Sequence, residues 1–137
     1  MLAGVWAGVL LAIALIATPA AFGTLAVADA GRLAGRILAR EAQLSLACSV
    51  ALFLVARARA RADAAAGRGS VVGLDVLLVL GALFCTVAGY YALQPMMAQA
   101  RLGQGTWPFA ALHAASMACF AVKGVLVLML AWRLTRR

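Results

Sequence analysis

Lys123 is the residue of this chain that most needs a chemical explanation. It lies inside an otherwise uncharged apolar run from about Phe109 to Trp132. A charge in the middle of a hydrocarbon layer costs about 2.5–3.5 kcal/mol on insertion scales, so a carbonyl, a carboxylate or a ligand has to meet it. At 100° per helical residue, Ser116, Cys119 and Lys123 fall within roughly 60° of one another, with His113 beside them. This polar stripe is expected to face neighbouring helices. If consecutive spans run antiparallel, Thr18, Arg40, Glu41, Tyr90, Tyr91, Gln94 and His113 reach similar height, where Glu, His and Tyr could share a hydrogen-bond network, a proton relay or the mouth of a small cavity. The candidate polar network is therefore Arg36, Arg40, Glu41, Tyr91, Gln94, His113, Ser116 and Lys123.

The same depth count brings Cys48, Cys85 and Cys119 level on three helices, and thiolates with Met117 or His113 near would suit copper(I). Against a metal, free cysteine is an ordinary small core residue, and the sequence has no CxxC or MxxxM spacing. No cofactor is expected, and His113, Met117 and Cys119 are the candidates should a metal bind. Met96 and Met97, adjacent after Pro95, are read as packing residues. The odd number of cysteines, each inside an apolar stretch, gives no disulfide framework. Nor is there a P-loop, a dinucleotide fingerprint, a paired-cysteine zinc pattern or a serine-nucleophile motif, so no catalytic residue is assigned.

The elements that must position these groups are four apolar stretches. Hydrophobic residues make up 66% of the 137 and mean hydropathy is +1.03, more apolar surface than a soluble domain of this size can bury. The expected fold is all-α, a single polytopic domain over residues 1–137 that forms a four-helix transmembrane bundle with spans at about 3–23, 36–57, 73–94 and 109–132. A cleaved secretory signal at Ala17-Thr18-Pro19-Ala20-Ala21 is the rival reading of the first span, but a basic n-region is missing. In the second, the uncharged core Ala42–Ala56 covers only about 22 Å at 1.5 Å per residue, against roughly 30 Å of hydrocarbon. An amphipathic approach helix over about 30–40 should therefore precede it, drawing Arg36, Arg40 and Glu41 to the membrane boundary or just inside. Arg32, Arg36 and Arg40, four apart, line one flank from which they can snorkel toward phosphates. The third helix should end near Gln94, because Pro95 disfavours helical geometry before it.

Arg57 to Asp63 and the Ala, Gly and Ser residues through Ser70 read as a solvated connection. With Arg133, Arg136 and Arg137 it puts seven basic residues on one side, against Arg32, Arg36, Arg40 and Arg101 on the other. Both termini are thus expected in the cytoplasm, with Trp6 and Trp132 at the inner interface and Trp107, Tyr90 and Tyr91 at the outer one. The net charge of +8 lies at helix ends without a nucleic-acid-binding motif, which points to topology and lipid headgroups as its purpose. Small residues should carry helix association: Gly4 and Gly8, Gly31 and Gly35, the Gly81, Cys85 and Gly89 stripe, and Ala110, Ala114 and Ala118. Intramolecular packing is the plainer use of these faces; a homo-oligomer or docking to a larger membrane complex is the other.

Several short motifs carry a resemblance. Thr18-Pro19-Ala20-Ala21-Phe22-Gly23 closes the first span and Ala30-Gly31-Arg32-Leu33-Ala34-Gly35-Arg36 leads into the second. Tyr91-Ala92-Leu93-Gln94-Pro95 ends the third, and Phe109 to His113 with Ser116-Met117 opens the fourth. In these the chain resembles the bacterial four-helix membrane proteins of domain of unknown function 4149, similar to the transmembrane protein 205 group. The resemblance implies a multi-pass protein of the bacterial inner membrane and names no reaction. A fainter similarity is to membrane proteins of the copper-resistance D type and to the haem-handling protoporphyrinogen oxidase of bacterial membranes. With His113 the only histidine, bis-histidine haem ligation within one chain is excluded. The expected function is a non-catalytic accessory, assembly or permeation module in the bilayer; the alternatives are a haem- or copper-binding protein using His113 and a structural subunit of a larger complex.

Overall fold

The computed structural model describes residues 1–68 and 72–136, so Ser70, the expected end of the linker, and Arg137, one of the counted C-terminal charges, lie outside the described residues. Four helices, each long and apolar enough to cross a membrane, make an all-α, multi-pass architecture: α1 Leu2–Thr24, α2 Val27–Ala65, α3 Leu74–Arg101 and α4 Phe109–Thr135. Many large apolar side chains face outward, among them Leu15, Ile16, Phe84 and Met117, as expected where the surroundings are acyl chains.

The core forms on the inner faces at one end of the bundle. Ala3, Trp6, Ala7 and Leu10 recur at helical spacing on α1 and pack with Cys48 and Leu52 of α2, Leu78, Val79 and Ala82 of α3, and Val127 and Leu130 of α4. Trp6, expected in an interfacial aromatic belt, is instead only 1% exposed, its ring too well covered by this cluster to reach a headgroup. Trp107 and Trp132 are exposed, and the Arg136 guanidinium lies 4.1 Å from the centre of the Trp132 ring.

Three boundaries differ from the sequence expectation. The approach helix and second span are one continuous helix of 39 residues, starting at Val27 and running through Arg57, Arg59 and Arg61 to Ala65. Alternating Arg and Ala are strong helix formers, so the expected linker is helical for most of its length. Pro95 does not end α3, which continues to Arg101. The carbonyl that a proline ring would strike belongs to the residue four before it: Tyr91 for Pro95, Leu15 for Pro19. Each of these carbonyls lies in a widened, π-helical turn, Val87–Ala92 in α3 and Ile13–Ala17 in α1. The extra backbone room lets both helices carry a proline without breaking.

Small residues work mainly on α3. A Cβ on Gly89 would stand 2.6 Å from the Cβ of Cys119, and one on Gly81 would stand 3.0 Å from a methyl of Leu126. Close approach of α3 to α4 thus requires glycine at 89. A Cβ on Gly4, Gly8, Gly31 or Gly35 would meet nothing within 4 Å, and Ala110, Ala114 and Ala118 are exposed, so none of these positions is a point of close helix approach inside the chain. Gly89→Val should destabilise the bundle by about 1–3 kcal/mol, the usual cost of overpacking, whereas Gly8→Ala should not. Denaturation of the two variants in mixed micelles checks the contrast.

Candidate functional site

Lys123 is met by Glu41. Its Nζ donates to both carboxylate oxygens, at 2.7 Å to Oε1 and 2.8 Å to Oε2, and the two side chains are 4% and 3% exposed. The equal depth follows from chain direction. As second and fourth spans, α2 and α4 run the same way, and each partner comes fourteen residues after its helix begins, Glu41 after Val27 and Lys123 after Phe109.

The pair is extended by hydroxyl and indole groups. Ser45, one turn along α2, donates to Glu41 Oε1 and lies 3.4 Å from Lys123 Nζ. The Trp6 indole N–H in turn donates to Ser45 Oγ at 2.9 Å. One connected set of bonds thereby ties α1, α2 and α4. Lys123 Nζ also stands 4.9 Å from the centre of the Phe120 ring, close enough for cation–π attraction. Next along the same face, Ser49 is fully buried, and its hydroxyl has no partner among the described residues.

α3 joins through two further contacts. Ser116 Oγ donates to the Gly89 carbonyl at 2.8 Å, which the close approach at Gly89 permits. Near the other end of both helices, Arg133 Nε donates to Asp75 Oδ1 at 2.9 Å, clipping the start of α3 to the end of α4.

The remaining sequence candidates lie elsewhere. His113 is exposed and stacks on Phe109, with ring centres 5.7 Å apart. It lies ten residues before Lys123, about 15 Å along the helix axis. Tyr91 is 42% exposed and packs edge-on against Tyr90. The expected meeting of Glu41, His113 and Tyr91 therefore does not occur. Glu41 sits deeper than its neighbouring arginines suggested, because α2 starts earlier than expected. Gln94 is half-buried on α3, and Arg40 makes one 3.3 Å bond to Gln43. Arg36 and Arg40 are exposed and line, with Val9, Ile13, Ile37, Glu41 and Leu44, an open groove of about 410 Å³ between α1 and α2.

Of the metal candidates, Met117 is exposed and Cys119 packs against Gly89. Cys48 belongs to the cluster of Ala3 and Leu130, which separates it in depth from Cys119, eleven residues before Leu130 on α4. The three thiols are not level. Among the described residues no three His, Cys, Asp or Glu side chains gather in a way that could hold a metal ion.

Residues 1–106 match the family described as domain of unknown function, DUF4149. The chain belongs to this family. The match takes in α1, α2 and α3, with the motifs around Pro19, Arg32 and Pro95; the Phe109–His113 motif and Lys123 fall beyond it. No curated protein and no solved structure matches the chain. In this DUF4149 member, therefore, the matched region holds the carboxylate and α4 supplies the ammonium.

Removing one partner of the pair leaves a buried charge uncompensated. Glu41→Gln or Lys123→Met should each destabilise the bundle by about 3–5 kcal/mol. The double variant should lose much less than the sum of the two. His113→Ala should stay within about 0.5 kcal/mol of the parent, since its ring is at the surface. Unfolding in mixed micelles measures the Glu41/Lys123 double-mutant cycle and, beside it, His113→Ala.

Proposed function

We propose that this protein is a multi-pass component of the bacterial inner membrane, with both termini cytoplasmic, that acts as a non-catalytic accessory or assembly module. The enclosure of the Lys123–Glu41 pair carries the proposal. Both carboxylate oxygens and the ammonium are occupied by one another and by Ser45, so they join helices and present no free reactive group. The orientation rests on the basic side chains: Arg57, Arg59, Arg61, Arg68 and Arg136 are exposed toward the end bearing the α2–α3 connection and the C-terminus. On the motif resemblance, the proposal also groups the chain with the transmembrane protein 205 proteins. It includes no cofactor.

Reporter fusions at Arg68 and at the C-terminus should both report cytoplasmic placement, and a fusion at Gln104 the opposite side. In a strain lacking the protein, the Glu41→Gln/Lys123→Met double variant should restore the parent phenotype, because a packing role survives replacement of both charges. A variant that accumulates and folds yet fails to restore it would overturn the accessory role in favour of chemistry at the pair. A Soret band or stoichiometric copper in gently purified protein would overturn the cofactor-free reading.

A further inference from the structure

The groove between α1 and α2 has the composition of a site for an anionic amphiphile. Its apolar walls are Val9, Ile13, Ile37 and Leu44, and its cations are Arg36 and Arg40, one turn apart on α2 with exposed side chains. Glu41, the acid beside them, is taken up by Lys123. The other three acids are also engaged, Asp29 with Arg32, Asp63 with Arg68 and Asp75 with Arg133. Arg36 has no hydrogen-bond or ion-pair partner among the described residues, and Arg40 has only the amide oxygen of Gln43. Among the described residues every side-chain carboxylate is thus paired with another cation, and neither guanidinium has one of its own.

An arginine inside a membrane-spanning helix is costly unless an anion or water meets it. The abundant anion around such a helix is the phosphate of a lipid. Helical side chains lean toward the helix N-terminus, so both guanidinium stems extend away from the buried Glu41–Lys123 pair and toward the end of α2 that carries the exposed Asp29 and Arg32. We propose that this groove binds one anionic phospholipid, its phosphate between Arg36 and Arg40 and an acyl chain along Val9, Ile13, Ile37 and Leu44. The site goes beyond the accessory role and is independent of it.

Native mass spectrometry of the full chain in detergent, with phosphatidylglycerol or phosphatidylcholine of the same acyl chains added, tests the site. One saturable phosphatidylglycerol should bind in preference to phosphatidylcholine by about 30-fold, the worth of two basic side chains toward anionic lipid. The Arg36→Gln/Arg40→Gln variant should lose that preference. The Arg59→Gln/Arg61→Gln variant, which removes two exposed arginines further along α2, should keep it, and circular dichroism checks that both remain helical. Equal binding of the two lipids, or a preference that survives in the Arg36/Arg40 variant, overturns the proposal. Displacement of the lipid by an equal concentration of inorganic phosphate also overturns it, since the acyl wall would then contribute nothing.

Discussion

An ammonium held within hydrocarbon must find an anion, and this requirement organises the bundle. Lys123 fixes the height of α4 against α2 because Glu41 is the acid at its level. Ser45 completes the carboxylate shell, and Trp6 completes Ser45, so the position of α1 follows from that of the pair. Lipid provides no hydrophobic drive between helices, so close packing and specific polar contacts must set their register. The cluster from Ala3 to Leu130 fills the space around a geometry that the charges define.

α3 is held by a different kind of interaction. No charge on it joins the central pair; close contact at Gly89, the Ser116 bond to its carbonyl and the Asp75–Arg133 clip locate it against α4. The widened turns preceding Pro19 and Pro95 have a similar role, preserving helix continuity where a backbone donor is missing. With water scarce at that depth, a helix that broke at either proline would leave backbone groups unsatisfied.

Hydropathy alone made the four spans and the all-α class legible, because twenty or so uncharged residues in a row have few other uses. It also singled out Lys123, and the stripe of Ser116, Cys119 and Lys123 does face the interior. The identity of the partner depended on where α2 begins. Counted from Val27, Glu41 is level with Lys123; counted from Ala30 or Arg36, it rises toward the boundary and toward His113. Helix ends are the weakest feature of a sequence pattern, and a shift of a few residues there was enough to exchange one partner for another. His113 attracted attention as a lone titratable ring in an apolar stretch, yet the face it occupies is decided by neighbours that periodicity on one helix does not contain.

The central ion pair joins residues 82 positions apart, from the second span to the last. At biosynthetic speeds of about 5–20 residues per second, some 4–16 s separate synthesis of the carboxylate from synthesis of its ammonium partner. During that interval Glu41 lacks the ammonium it meets in the finished bundle, and the bond between α2 and the last span cannot form. A chain cut short after α3 would keep that carboxylate without its ammonium, and α1 and α2 without the polar link to the last span.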